Sequence, residues 1–234
     1  MYKIEEIENK IFCSDYLEFI KMIPDKCIDN FICDPPYGTN DDRGKTIKRG
    51  NNHTSFNVIK WDKQVPLDYF QELYRVMKED TWGVIFTDNM FISHLWEKIE
   101  ENGLKCRNTF YWIKNNKAPT PRANFKSNVE TAIIFTKGLT NKKWKGGGNQ
   151  NNYIIMSFVC GREKVNHPTQ KPINLMKHFI KLFTNEGDIV LDIFLGSGAS
   201  AIAAKHLGRR YIGCDINKEY CIGAENRLKQ EVLL

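Results

Sequence analysis

The chain has 234 residues and a net charge of +6, and 41% of its residues are hydrophobic, so it can bury a sizeable core within a single α/β domain. Its amino terminus lacks the basic-then-apolar pattern of a signal peptide. No stretch approaches the roughly 18 consecutive apolar residues of a membrane span, so we expect a cytoplasmic protein without a membrane partner.

The basic residues are concentrated in three segments, 43–63, 105–126 and 137–171. These segments hold more than half of the Lys and Arg residues but only the acids Asp62 and Glu163, and each also contains aromatic side chains. A single basic run is most often a solvated face, whereas three that contain aromatics favour a polyanionic partner such as nucleic acid.

Apolar runs and helical periodicity predict alternating strands and helices along most of the chain. The predicted strands are residues 10–13, 27–33, 81–87, 104–113, 129–136, 188–194 and 209–215. The predicted helices are residues 15–23, one opened by Pro66 with an apolar face reaching Met77, one spanning 92–99 and closed by Gly103, then 172–184, 199–207 and 217–230. This alternation indicates a mostly parallel sheet between two layers of helices.

Two segments lie outside this pattern, whereas the cysteines mostly lie inside its apolar runs. Residues 38–64, rich in Gly, Asn, Lys and Thr, predict a mobile loop, and such long loops in compact domains are usually functional lids or disordered. Residues 138–165 are polar, with KGGGNQNN at their centre, and predict an insertion or a small subdomain. The seven cysteines lack C-x-x-C spacing, which favours reduced, buried thiols and no metal site.

A glycine-rich turn, LDIFLGSGASA (191–201), follows a predicted strand and opens a helix. Gly196 and Gly198 would let a ligand approach the backbone, and Asp215 at the end of the next strand could bind both hydroxyls of an adenosine ribose. The pattern suits NAD, FAD and S-adenosylmethionine equally, and a tight turn without a ligand would have the same spacing. Because about one strand and two helices follow, strands from the amino-terminal half must complete the sheet in a circularly permuted order.

The stretch FICDPPY (31–37) places Asp34 at the carboxyl end of a predicted buried strand, the edge where open α/β sheets bind ligands. Pro35 and Pro36 fix the backbone and supply carbonyls without competing N–H groups. A carboxylate, a carbonyl and the ring of Tyr37 are therefore held within one stiff turn.

The pairing of D-P-P-Y near the amino end with D-x-F-x-G-S-G near the carboxyl end resembles the amino-group DNA methyltransferases, and the motif order resembles their β class. The segment CSDYLEFIKMIPDKCIDNFICDPPYG is similar to the family's approach to its catalytic motif. HPTQKP (167–172) and YIGCDINKEYCIGAENRL are similar to the segments flanking the cofactor turn. The resemblance covers nearly the whole chain and implies a Rossmann-like three-layer methyltransferase fold.

The resemblance implies S-adenosylmethionine as the cofactor. The residues expected to bind it are Asp192, Phe194, Gly196 and Gly198 as its lining, Asp215 at its ribose, Asp15 near its adenine, and Thr169 and Lys171 at its methionine end. His167 fits a structural hydrogen-bonding role better than a chemical one.

The catalytic residues implied are Asp34, Pro35, Pro36 and Tyr37. Asp34 and the Pro35 carbonyl would accept hydrogen bonds from an exocyclic amine of a flipped base and stabilise the positive charge that grows on it, while Tyr37 offers a stacking face. Asp34 is expected to take the departing proton, directly or through water. Because the cofactor carries a reactive methyl group, no metal is needed.

Within the family that the chain resembles, Asp at the first position of the motif generally goes with adenine N6 and Ser with cytosine N4. The resemblance therefore favours adenine N6 in double-stranded DNA and leaves cytosine N4 as the alternative. Cytosine C5 chemistry is disfavoured because the chain has no Pro-Cys pair. A nicotinamide oxidoreductase would account for the glycine turn but leaves D-P-P-Y unexplained. A non-catalytic DNA-binding subunit with a methyltransferase fold would carry the same basic segments, but the intact motif residues speak against it.

By the same resemblance, residues 138–165 correspond to the family's target-recognition region and are shorter than in its larger members, so we expect a short or relaxed recognition sequence. The 38–64 loop and a second copy of the chain, as a homodimer, are expected to complete the DNA surface. A cognate restriction enzyme or a second methyltransferase as partner is left open.

Overall fold

A computed structural model of the chain describes residues 2–37, 65–115, 128–138 and 144–230. The predicted loop 38–64 lies outside the described residues. The strands are β1 Lys10–Cys13, β2 Ile28–Cys33, β3 Met77–Thr87, β4 Lys105–Ile113, β5 Val129–Lys137, β6 Tyr153–Ile155, β7 Ile189–Asp192 and β8 Arg210–Asp215. The helices are α1 Ile4–Ile7, α2 Tyr16–Met22, α3 Phe70–Val76, α4 Ile92–Glu101, α5 Ile173–Phe183, α6 Ala199–His206 and α7 Lys218–Gln230.

The eight described strands form one sheet in the order β1-β8-β7-β2-β3-β5-β4-β6. Strand β5 runs antiparallel to both of its neighbours, whereas all the other pairings are parallel. Strands β7 and β8, on either side of the glycine turn, lie between β1 and β2 from the amino-terminal part of the chain. The permuted order that the sequence predicts is therefore confirmed.

Helices cover both faces of this sheet. Successive side chains of a strand point to opposite faces of the sheet. In β3, Ile85 therefore packs with apolar residues of α2, α3 and α4, whereas Val84 and Phe86 pack with α5 and α6. Every residue of β2 is buried, as expected for a central strand of a sheet covered on both faces. The three-layer prediction is confirmed, and α7 contacts β1 and β8 of the sheet as well as α6, against which Ala224 and Leu228 pack.

One predicted helix is shorter than its sequence pattern indicates. Helix α3 begins at Phe70 rather than near Pro66 and ends at Val76, and Met77 begins β3. Met77 belongs to a strand because it pairs with Ile28 of β2, and this long-range pairing overrides the helical spacing of the apolar residues.

The polar segment 138–165 extends the main sheet instead of forming a separate subdomain in its described part. Strand β6 pairs in parallel with β4, opposite residues Tyr111 to Ile113. The indole N–H of Trp112 donates to the Met156 carbonyl at 2.8 Å, and the Trp144 ring lies 5.6 Å from the Trp82 ring, centre to centre. These contacts attach Trp144 and the residues around β6 to the core.

The seven cysteines are free thiols, as expected, but Cys33, Cys214 and Cys221 alone are buried, whereas Cys13 and Cys160 are exposed. The expectation that most are buried is wrong: Cys13 ends the edge strand β1, and Cys160 lies outside the sheet between β6 and α5. Across the described ranges, no group of His, Cys, Asp and Glu could hold a metal ion. No helix in the described part of the chain is long and apolar enough to cross a membrane.

Candidate active site

Three carboxylates lie at one edge of the sheet because three adjacent parallel strands end there. Asp34 directly follows β2, Asp192 is the last residue of β7, and Asp215 is the last residue of β8. The order β8-β7-β2 makes these strands neighbours, and in open α/β sheets this carboxyl edge is where ligands bind.

A cavity of about 890 Å³ opens at this edge, within the roughly 300 to 1,000 Å³ range of small-molecule sites. The sequence-predicted residues that line it are Asp15, Asp34, Pro36, Thr169, Lys171, Asp192, Phe194, Gly196 and Asp215. The lining formed by the described residues does not include Pro35, Tyr37 or Gly198. The two sequence motifs therefore meet at one cavity, although they lie more than 150 residues apart in the chain.

The two glycines of the turn serve different purposes. Gly196, with a φ of +51°, lines the cavity, and a Cβ added there would lie 2.8 Å from Nε2 of His167. Gly198, with a φ of +81°, lies against α7, where an added Cβ would lie 2.7 Å from the Cβ of Ala224. The structure thus places Gly198 in a helix packing contact and not in the cavity lining.

Asp215 supports the glycine turn while facing the cavity. Its Oδ2 accepts the Gly196 N–H at 2.7 Å, and its Oδ1 accepts the Asn217 N–H at 2.8 Å. Each carboxylate oxygen has a second lone-pair direction, so the group can still accept from ligand hydroxyls. Asp215 therefore fixes the turn and remains suited to the predicted ribose contact.

Asp192 is a buried acid at the centre of the site. Its Oδ1 accepts the Phe194 N–H at 3.0 Å, and its Oδ2 accepts the hydroxyl of Ser200. Burial raises the pKa of Asp192 to about 7, although both hydrogen bonds oppose this shift. A cationic ligand in the cavity would favour the ionised form.

The raised pKa of Asp192 predicts a stability that falls as pH increases. The folded chain keeps the proton up to about pH 7, whereas an ordinary Asp loses it near 3.8, so stability is lost between these values. Asp192→Asn cannot ionise and should therefore be at most about 4 kcal/mol more stable than the wild type at pH 8. Thermal unfolding of both proteins from pH 5 to pH 8 measures the difference, and parallel curves would contradict the prediction.

Asp34 is enclosed by two donors at the cavity edge. The Tyr37 hydroxyl donates to its Oδ1, and the Lys171 ammonium donates to its Oδ2. The Lys171 ammonium also lies 3.1 Å from Oε2 of Glu130, which in turn forms an ion pair with Lys114. Burial raises the pKa of Asp34, the Lys171 charge opposes this shift, and the Glu130 charge adds to it.

Sequence reasoning missed this cluster of charges. It assigned Lys171 only to the cofactor, and it did not consider Glu130 or Lys114. Glu130 is the only acid between residues 105 and 137, at the start of an apolar strand, and an isolated acid there could have been a signal. The contact between Lys171 and Asp34 spans 137 residues and has no local signature.

Three further cavity residues were also missed or misjudged. Ile216 lines the cavity although it is 70% exposed, and Tyr220 packs edge-on against His167 with ring centres 4.6 Å apart. Nδ1 of His167 is buried and has no hydrogen-bond partner among the described residues, so the expected structural hydrogen-bonding role is not borne out at that atom. Burial and the nearby Lys171 lower the pKa of His167 to about 4, so its ring is neutral near pH 7.

The residues of the cavity fit S-adenosylmethionine. Asp15, Asp192 and Asp215 supply carboxylates for a cationic ligand with ribose hydroxyls, while Phe194 and Ile216 supply apolar surface for a base. A permuted three-layer sheet with this cavity beside an Asp-Pro-Pro-Tyr turn defines the class of amino-directed methyltransferases.

Comparison with known proteins agrees with this class. Residues 28–226 match the family described as "DNA methylase", and the chain belongs to this family. The Type II methyltransferase M.HpaI of Haemophilus parainfluenzae is 31% identical over 96% of this chain and 76% of its own length. The DNA adenine methyltransferase YhdJ of Escherichia coli is 27% identical over 90% of this chain and 79% of its own length.

Solved structures show the same fold. The crystal structure of the M1.HpyAVI-SAM complex has a TM-score of 0.73 and 29% identity, and the match covers 94% of this chain and 98% of that chain. The cytosine-N4-specific PvuII DNA methyltransferase has a TM-score of 0.70 over 93% of this chain and 85% of its own, and at 19% identity it supports the fold alone. The chain is thus a DNA methyltransferase, and its cofactor is S-adenosylmethionine.

Proposed function

We propose that this enzyme methylates the N6 amino group of adenine in double-stranded DNA after the base leaves the duplex. The observation that carries the proposal is the Asp34 carboxylate at the cavity edge, held between the Tyr37 hydroxyl and the Lys171 ammonium. The relative YhdJ, whose printed name is DNA adenine methyltransferase, supports adenine as the target.

Asp34 and the Pro35 carbonyl act as the two acceptors for the target amine. An exocyclic amine is a weak nucleophile, and acceptors that hold both its hydrogens stabilise the positive charge that develops during attack. Asp34 then takes the proton released from the amine, directly or through water. The flanking prolines Pro35 and Pro36 keep these acceptors fixed, since each locks its own φ.

Tyr37 provides the face on which the flipped base stacks. Its hydroxyl is already committed to Asp34, so the ring is held in one orientation relative to the carboxylate. The ring packs against the apolar cluster formed with α5 and α6, which supports it from the protein side. Stacking of a base on such a ring contributes about 1 to 3 kcal/mol.

The cofactor is held by the cavity's carboxylates and apolar side chains. S-adenosylmethionine supplies a methyl group on a sulfonium, so the methyl is electrophilic without a metal. Asp215 is the proposed ribose ligand, Asp15 is the proposed adenine neighbour, and Asp192 offers a negative charge to the cationic end.

We also propose that residues 138–165 form a small target-recognition region in a cytoplasmic enzyme. The described part contains the edge strand β6, where Tyr153 and Ile155 are 45% and 60% exposed. The proposed DNA surface includes the 38–64 loop and a second copy of the chain.

The product nucleoside tests the proposal. The purified protein is incubated with unmethylated duplex DNA and S-adenosylmethionine labelled in its methyl group, and the digested DNA is analysed by mass spectrometry. The expected product is N6-methyldeoxyadenosine. N4-methyldeoxycytidine would overturn the base assignment alone, whereas cofactor binding without any methylated product would support a non-catalytic DNA-binding subunit.

A further inference from the structure

The side chain of Lys171 is buried against the catalytic turn. It is 6% exposed, and its ammonium donates to Oδ2 of Asp34 and lies 3.4 Å from the Tyr37 hydroxyl. The same ammonium lies 5.1 Å from the centre of the Phe86 ring. These contacts place Lys171 beside the acceptor group of the turn, although it also lines the cofactor cavity.

Glu130 holds the other side of this ammonium. Its Oε2 lies 3.1 Å from Nζ of Lys171, while its Oε1 forms an ion pair with Lys114. A buried lysine is strongly unfavourable unless it is paired, and here two carboxylates share it. The four side chains form an alternating chain of charges, Asp34, Lys171, Glu130 and Lys114, whose formal sum is zero.

We propose that Lys171, held in place by Glu130, is a positioning residue that keeps the Asp34 carboxylate ionised and oriented as an acceptor for the target amine. This inference rests on the proposed role of Asp34 in the reaction. This role differs from the cofactor contact expected from the sequence, because the main partner of Lys171 is Asp34 of the catalytic turn and not the methionine end of S-adenosylmethionine.

The balance of charges around Asp34 explains why such a residue is needed. Burial disfavours its charge and raises its pKa, and a protonated carboxyl would present a hydroxyl where the amine requires an acceptor. The positive charge of Lys171 lowers the pKa of Asp34, whereas the negative charge of Glu130 raises it. The other titratable groups that face this cluster are Cys33, Tyr37, His167 and Asp192.

Replacement of Lys171 should shift the pH profile of the reaction. Activity requires ionised Asp34, so kcat rises as pH increases through the Asp34 pKa. In Lys171→Met that pKa rises, and the acid limb should move to higher pH by about one to three units, since an adjacent opposite charge contributes about that much. Activity lost at pH 7 should return in part at pH 9, while the Kd for S-adenosylmethionine, measured by calorimetry, changes less than about threefold.

Two further variants separate this role from a general loss of structure. Glu130→Gln removes a negative charge beside Asp34 but keeps an acceptor for Lys171, so its acid limb should move to lower pH, opposite to Lys171→Met. Lys171→Arg keeps the cation, so its acid limb should stay near the wild-type position even if kcat falls. Lys181→Met, an exposed site on α5, is the matched control and should change neither property.

Different results would contradict the positioning role of Lys171 and the proposed catalytic role of Asp34. If Lys171→Met and Lys171→Arg weaken cofactor binding and leave the acid limb in place, Lys171 is a cofactor ligand and the inference is wrong. Shifts of the same sign in Lys171→Met and Glu130→Gln would also overturn it. Full activity of Asp34→Ala would instead remove the proposed role of Asp34 itself.

Discussion

Asp34→Ala is expected to lower the rate of methyl transfer by about 10³ or more at pH 7.5, with the affinity for S-adenosylmethionine nearly unchanged. The variant removes an acceptor of the target amine and the proposed proton acceptor together. The cavity keeps Asp15, Asp192 and Asp215, which are the proposed cofactor contacts. The measurement is single-turnover methylation of duplex DNA, combined with calorimetric titration of the cofactor.

Asp34→Asn separates the charge of this side chain from its shape. Asparagine keeps an acceptor oxygen of similar size but cannot neutralise Lys171 or take a proton. We therefore expect a loss of activity close to that of Asp34→Ala. Nearly full activity in Asp34→Asn would show that hydrogen bonding without charge is sufficient.

Asp25→Ala is the matched control for these variants. Asp25 precedes the amino end of β2, at the opposite end of the same strand from Asp34, and its side chain is 62% exposed. Its ion pair with Arg75 is a surface pair, so its loss should cost less than about 1 kcal/mol of stability and leave activity intact. If Asp34→Ala keeps more than a tenth of wild-type activity while Asp25→Ala is normal, the mechanism proposed for Asp34 is wrong.

The acids at the carboxyl edge of the sheet could be predicted because the sequence patterns that mark strand ends are local. An acid directly after an apolar run marks the carboxyl end of a buried strand, and this pattern correctly placed Asp34 and Asp215 at one edge. Asp192 lies inside the predicted strand 188–194, and only the family resemblance assigned it to the site. The permuted strand order followed from the small number of elements after the glycine turn. The first inference used only the residues around each motif, whereas the second used the order of the predicted elements along the chain.

The features that sequence reasoning missed depend on long-range packing. The end of α3 is set by pairing of Met77 with β2, about fifty residues earlier in the chain. Lys171 meets Asp34 and Glu130 only after the segment before α5 folds over the sheet edge. Such contacts depend on the arrangement of distant elements, so no spacing in one sequence indicates them.

Gly198 is a motif residue whose structural role also depends on long-range packing. The G-x-G spacing suggested that both glycines admit the cofactor, but Gly198 faces α7. The need for glycine at this position comes from its φ of +81° and from the close approach of Ala224.

Gly198→Ala is expected to destabilise the fold by about 2 to 4 kcal/mol. The added methyl would lie 2.7 Å from the Cβ and 3.2 Å from the Cα of Ala224, so the backbone of α7 must move. The left-handed conformation adds a cost of about 1 to 2 kcal/mol for a residue with a Cβ. Urea unfolding of the variant and the wild type at one pH measures the loss.

The shift of α7 should also weaken the cofactor site. Tyr220 of α7 lines the cavity and packs against His167, so displacement of the helix moves part of the cavity wall. We therefore expect Gly198→Ala to raise the Kd for S-adenosylmethionine about tenfold or more, even at a temperature where the variant remains folded. This indirect effect would occur although Gly198 is outside the described cavity lining.

Gly223→Ala tests whether packing, and not loss of a glycine as such, causes the effect. Gly223 is exposed on the same helix, and an added Cβ there meets nothing within 4 Å, so the substitution should stabilise the protein by up to about 1 kcal/mol. Its cofactor affinity should equal that of the wild type. If Gly198→Ala is as stable as Gly223→Ala and binds the cofactor normally, then α7 can shift without cost, and the packing explanation for Gly198 is wrong.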